Sequence, residues 1–206
     1  MQDHPIRKRT RLDPQARRRQ ILDATSRLIL EEGLGALTME RLAREAGISK
    51  ALVYNYYASR ERLLEALLQR EQDDLRDRGM AAALRAESFE DLIRLTTRLY
   101  LEQTRDRGAL IATITSDPTL TQDMEAHSGV ERARTVRYFA RMTCRAFDLS
   151  PDTAATCADL LMTLSVRAGQ LVAEGQIDVE PATDLCVTLI TGALERAAGK
   201  SASPLH

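Results

Sequence analysis

Tryptophan is absent, aromatic residues make up only 4 % of the 206, and the chain has just 10 glycines and 6 prolines. Turn formers and β-branched runs are scarce, while Ala, Leu, Arg and Glu are plentiful. This excludes a strand-rich or low-complexity chain and argues for an all-α fold with a buried core. The three cysteines, Cys144, Cys157 and Cys186, lie far apart in apolar, helix-like surroundings. An odd number without paired or metal-ligand spacing excludes a disulfide framework and a zinc motif, and sets the expectation of a reduced, cytoplasmic protein. Of the three histidines, His4 and His206 sit near the ends, and His127 has no cysteine or second histidine at ligand spacing. No Ser/His/Asp constellation, phosphate loop or dinucleotide fingerprint is present, so no enzyme, no metal and no cofactor are expected. The Arg-rich N-terminus lacks the apolar run of a signal peptide. The longest uncharged stretch, Leu185 to Leu194, falls well short of the ~18 residues of a membrane span.

Net charge is −1, which by itself points to no partner. Its distribution is uneven. Through Arg70 there are fourteen Lys/Arg against nine Asp/Glu, and after it fifteen against twenty-one, giving +5 and −6. A basic first third on an acidic remainder is what one end meeting nucleic acid requires. Residues 1–13 are polar, contain Pro5 and carry the basic run from Arg7 to Arg11, so a flexible arm is expected there. Such an arm is either a loose terminus or a basic strap along phosphates or into a minor groove.

The first helix is expected over Pro14 to Glu32, with Asp13 as cap, Pro14 at its first position and Gly33 as stop. Ile21, Leu22, Ala24, Thr25, Leu28 and Ile29 form its inner face. Arg17, Arg18 and Arg19 stand at its start, where the helix dipole does not favour cations and a phosphate would. The most informative stretch runs from Thr38 to Tyr57, "TMERLAREAGISKALVYNYY". Thr38 can cap a helix of about eight residues whose inward stripe is Leu42, Ala43 and Ala46. Gly47 suits a left-handed turn, Ile48 plugs it, and Ser49 caps a second short helix carrying Leu52, Val53, Tyr56 and Tyr57. This is the layout of a helix-turn-helix DNA reader. Lys50 can reach phosphate or guanine, Asn55 has the paired donor and acceptor that suit adenine, and tyrosine hydroxyls suit phosphate oxygens. An amphipathic helix pair with a solvated face is the plain alternative. Ser59 then caps a fourth helix with Leu63, Leu64, Leu67 and Leu68 inside.

These residues resemble the TetR family of bacterial transcriptional regulators over Ile21 to Leu68, and little beyond. The resemblance rests on Gly33, Thr38, the Leu42–Ala43 pair, Ala46-Gly47-Ile48-Ser49, the aromatic cluster from Tyr54 to Tyr57, and Ser59-Arg60-Glu61 followed by leucines. Tyr57 stands where Phe is usual and Arg60 where Lys is usual; the aromatic plug and the cation are both kept. The resemblance implies a recognition helix over Lys50 to Tyr56 entering the major groove. Thr38, Tyr56 and Arg60 would meet the backbone, and Ser49 at the helix start, Lys50, Ala51, Leu52, Tyr54 and Asn55 would be the other DNA-facing residues. Val53 and Tyr57 belong in the core.

Helical periods continue to the end. A helix capped by Ser88 is expected to stop before Gly108, followed by a short apolar segment over 109–115, a brief piece over 120–126 and a helix from about Ser128. Ser150-Pro151 opens another, ended by Gly175, and Glu180-Pro181 opens the last, ended by Gly199. The implied organisation is an arm over 1–13, a DNA-binding domain over 14–70 and a helical effector-binding and dimerisation domain over 71–206. The family implies an effector pocket in the middle helices, for which Thr96, Tyr100, Thr113, His127, Arg134, Arg137 and Tyr138 are the polar candidates. It also implies a homodimer formed by the last two helices, through Leu161, Leu164, Ala168, Leu185, Leu189, Gly192 and Ala193. The reading that results is a homodimeric, ligand-responsive repressor of a palindromic double-stranded DNA operator. The alternative is an architectural or nucleoid-associated DNA binder without an effector.

Overall fold

The computed structural model describes residues 13–199, apart from the side chains of residues 121–128. Eight α-helices and no strand occur among the described residues: α1 (Pro14–Glu32), α2 (Met39–Glu45), α3 (Lys50–Tyr56), α4 (Arg60–Arg85), α5 (Phe89–Thr115), α6 (Thr121–Phe147), α7 (Pro151–Ala173) and α8 (Val179–Ala197). Short 3-10 turns lie at Leu34–Ala36 and Pro118–Leu120. The chain divides into two compact units between Leu67 and Leu68, so residues 60–67 of α4 belong to the first and 68–85 to the second.

In the first unit the helix ends follow from the caps. Asp13 accepts from the N–H groups of Gln15 and Ala16 at 2.8 and 3.0 Å, with Pro14 needing no donor partner, and Gly33 ends α1 at φ +82°. The face of α1 expected to be inward is buried as expected. Leu42, Val53, Leu63, Leu64 and Leu67 are fully enclosed, and Met39 joins them unforeseen.

The second unit departs from the sequence reading in three places. α5 does not stop at Gly108 but continues to Thr115, so the separate segment over 109–115 does not exist. Gly108 lies within reach of Thr104 and Ala173, and close helix packing overrides the roughly 1 kcal/mol preference against a mid-helix glycine. Likewise the piece over 120–126 and the helix from Ser128 are one element, α6, which starts at Thr121 behind Leu120 with no side-chain cap to announce it. Finally, α8 begins at Val179, placing Pro181 in the first turn, where a missing N–H is tolerated.

Two apolar clusters hold this unit together. One centres on Ile93, Cys186, Val187, Ile190 and Leu194, against which Phe89, Phe139, Phe147, Leu161 and Leu164 pack. Phe89 and Phe147 meet edge to face at 5.0 Å. The other joins Leu101, Val172, Val179 and Ala182, flanked by Tyr100 and Ala168. Here α7 approaches α5 so closely that a Cβ on Gly169 would lie 3.0 Å from Tyr100 Cε1 and 3.2 Å from Thr104 Oγ1, so only glycine fits without a shift. Burial raises the Tyr100 phenol and the Cys186 thiol above their ordinary pKa values. Ion pairs lace the outside: Arg94 with Asp184 and Arg98 with Glu180 join α5 to α8, and Arg132 with Asp159 joins α6 to α7. Glu71 is a buried acid, 2.8 Å from Arg70 and 3.6 Å from Arg107.

Candidate nucleic-acid interface and bundle cavity

The turn between α2 and α3 is built to be rigid. Thr38 Oγ1 accepts from the Arg41 N–H at 3.0 Å, and Ser49 Oγ from the Leu52 N–H at 3.2 Å. Gly47 takes the left-handed conformation at φ +65°. A contact that the sequence does not advertise fixes this turn from α1: Gln20 Nε2 donates to the Ala46 carbonyl at 2.8 Å, and Arg17 donates to Gln20 Oε1 at 2.6 Å. Arg17 is therefore engaged inside the unit, whereas Arg18 and Arg19 are exposed. Arg41 bridges Glu45 at 3.2 Å and Glu32, tying the end of α1 to α2.

On α3 the side chains part as expected. Val53 and the following Tyr57 are buried, while Ser49, Lys50, Ala51, Tyr54 and Asn55 are exposed and Leu52 and Tyr56 are half-buried. Tyr54, 46 % exposed, is a large aromatic left in solvent by a short helix. Lys50 reaches Glu40 on α2 at 3.8 Å, both being exposed. Thr38 is exposed at the start of α2. Arg60, half-buried, donates to the Leu34 carbonyl at 3.3 Å, so part of its guanidinium supports the turn after α1. Lys50, Ala51, Tyr54 and Asn55 are thus exposed on α3, and Thr38 is exposed at the start of α2.

The residues expected to form a pocket are not gathered in one place. A small cavity of about 50 Å³ opens between α5, α6, α7 and α8. Thr96 lines it; Tyr100 instead flanks the cluster around Leu101. Arg134 and Arg137 are exposed, Thr113 and Tyr138 are half-buried away from the cavity wall, and the side chain of His127 lies outside the described residues. The wall is made by residues read from sequence only as helix faces, or not singled out at all: Phe89, Thr97, Phe139, Thr143, Met162 and Ser165. For Thr97, Thr143 and Ser165 the sequence signal is a hydroxyl on an apolar stripe, and Phe89, Phe139 and Met162 carry none. Among the residues expected between copies, Leu161, Leu164 and Ala168 turn part of their surface to the core of their own unit, because α7 is apolar around more than one face. Leu185, Leu189, Gly192 and Ala193 are exposed on α8, and Leu160, 66 % exposed, is the outward leucine of α7.

Two short capped helices set around a glycine turn, the second with its outer face free, define a helix-turn-helix protein. Residues 21–67 match the family model of bacterial regulatory proteins, tetR family. The HTH-type transcriptional regulator BetI of Rhizobium meliloti (strain 1021) is 40 % identical over 86 residues, which is 40 % of this chain and 42 % of that protein. The match therefore spans less than half of that relative's length. Among solved structures, a TetR-like transcriptional regulator from Rhodococcus sp. RHA1 superposes with a TM-score of 0.71 at 23 % identity, over 89 % of this chain and 98 % of the other. A putative transcriptional regulator from Pseudomonas aeruginosa PAO1 gives 0.75 at 15 % identity, over 93 % and 96 %. At such identities the likeness speaks to the fold alone, and it extends well beyond the matched N-terminal residues. Residues 21–67 thus carry the helix-turn-helix region of the TetR family. No helix among the described residues is long and apolar enough to cross a membrane, and no three potential metal ligands cluster there.

Proposed function

We propose that this protein is a homodimeric transcriptional regulator of the cytoplasm, a repressor that leaves a palindromic DNA operator when a small molecule binds its bundle. In this reading residues 14–70 read DNA, and 71–206 bind the effector and pair the subunits. The observation that carries it is the outer face of α3, where Lys50, Ala51, Tyr54 and Asn55 are exposed while Val53 and the adjoining Tyr57 anchor the helix. Lys50 and Arg60 supply charge to phosphates, Thr38 and Tyr56 supply hydroxyls, and Asn55 supplies a bidentate amide to a base edge. Dimerisation is supported by the exposed row Leu185, Leu189, Gly192 and Ala193 together with Leu160. An apolar surface of this kind is best covered by its own symmetry mate. The effector acts by preferring one of two bundle states, since a ligand that binds both equally shifts nothing.

The test is a titration against DNA flanking the gene, with a shuffled duplex of equal length at near-physiological salt. Binding at least about a thousandfold tighter than to the shuffled control is expected. Equal, steeply salt-dependent binding to both, with no preferred sequence selected from random DNA, would replace this reading with the architectural one.

A further inference from the structure

A threonine inside a helix ordinarily returns its hydroxyl to the carbonyl four residues back. This chain follows that habit at Thr25, Thr96, Thr183 and Thr191, with Oγ1···O distances of 2.7–2.8 Å. Thr97 on α5 and Thr143 on α6 break it. They are 6 % and 2 % exposed, they line the bundle cavity, and within the described residues neither hydroxyl makes a hydrogen bond. Ser165 on α7 lines the same cavity, and its hydroxyl is likewise unbonded there. Three helices therefore bring unengaged hydroxyls to one enclosure whose remaining wall is aromatic and aliphatic. No charged side chain lines it.

We propose that this cavity takes a neutral, largely apolar ligand bearing one or two hydrogen-bonding oxygens, such as an alcohol, ketone or ester. The proposal rests on the reading of the bundle as an effector domain and names the class of effector. A hydroxyl both donates and accepts, so Thr97, Thr143 and Ser165 can serve a carbonyl or a hydroxyl equally well. A carboxylate or an ammonium would enter without a countercharge, and burying an unpaired charge is far more costly than burying a neutral polar group. The volume, about 50 Å³, exceeds the ~10–15 Å³ that holds one water. It suits the oxygen-bearing end of such a molecule, with the hydrocarbon against Phe89, Phe139 and Met162 of the wall.

The experiment uses the full chain and four probes that share an eight-carbon chain: octanol, methyl octanoate, octanoate and octyltrimethylammonium. Affinity is measured calorimetrically and by the rise in unfolding temperature. Octanol and methyl octanoate should bind at least about tenfold more tightly than either charged probe. Thr97→Val and Thr143→Val should each weaken the neutral probes by about two- to tenfold. Neither should unfold earlier than the wild type, because the hydroxyl removed has no partner to lose. Thr183→Val, which removes a bonded hydroxyl, should unfold earlier. The proposal is overturned if the charged probes bind as well as the neutral ones, if both cavity variants bind like the wild type, or if no neutral probe binds. DNA affinity measured alongside separates the two readings. A neutral probe that binds through Thr97 and Thr143 yet leaves operator affinity unchanged upholds the site and removes the regulatory role.

Discussion

The two units differ in how fully their interior polar side chains are engaged. In the first, they are braced against backbone: Gln20 holds the Ala46 carbonyl, Thr38 and Ser49 hold helix starts, and Arg60 holds Leu34. In the second, ion pairs such as Arg94–Asp184 and Arg132–Asp159 join helices on the outside, and some interior polar groups are left without partners. Among the described residues the buried side-chain atom without a partner is Gln103 Nε2, although Gln103 Oε1 accepts from Arg78 at 3.3 Å, while Thr97 and Thr143 line the cavity with unbonded hydroxyls. A buried polar group without a partner costs stability that a neutral apolar group does not. The comparison teaches that the first unit spends its polar groups on fixing backbone, whereas the second keeps some of its interior polar groups without partners.

The largest expected effect breaks the fixed unit. Leu42→Ala removes a fully buried side chain and should cost about 2–5 kcal/mol in urea unfolding, with loss of DNA binding; a smaller loss would mean the first unit can collapse around the gap. Next, Leu189→Asp places a charge on the exposed row of α8. Under the proposed dimeric reading it should leave a monomer in sedimentation, where the unaltered chain sediments as a dimer, and weaken operator binding by about a hundredfold or more, because two half-sites are no longer engaged together. A dimer that survives would move the interface elsewhere. Asn55→Ala should relax discrimination at a single base pair by about 1–3 kcal/mol, read by selection from random DNA, and an unchanged selected sequence would remove Asn55 from the base-reading set. The smallest effect is Gln20→Ala, which should cost about 1–2 kcal/mol of stability for the two hydrogen bonds lost, to Ala46 and from Arg17. It should also weaken DNA binding although Gln20 bonds to the turn and not to the exposed face of α3. Unaltered DNA affinity would show that the turn does not need this brace.

Legibility in the sequence differs along the same line. The bounds of α1 and α3 could be read directly, because Asp13-Pro14, Gly33, Ser49 and Gly47 each have one local job. Gly108 and Ser128-Gly129 look equally like punctuation, yet α5 and α6 run straight through them, because a local preference of about 1 kcal/mol is too small to end a long helix by itself. Gly169 is the converse, a glycine required by the approach of Tyr100 and Thr104, which no local pattern reveals. The exposed residues of α3 stand where spacing put them. The cavity wall does not, since a polar residue on an apolar stripe shows that something is unusual without showing which way its oxygen turns. On α7, apolar residues occupy too wide an arc for sequence to separate the inner Leu161 from the outer Leu160.

Cys186 belongs to the same cluster as Ile190 and Leu194, two residues of the cavity wall. It is 2 % exposed, and burial keeps its thiol protonated to higher pH than usual. Alkylating reagents attack the thiolate and must first reach it. Their rate at this sulfur therefore counts how often α8 loosens from its neighbours, and so makes a native chemical clock for breathing of the bundle.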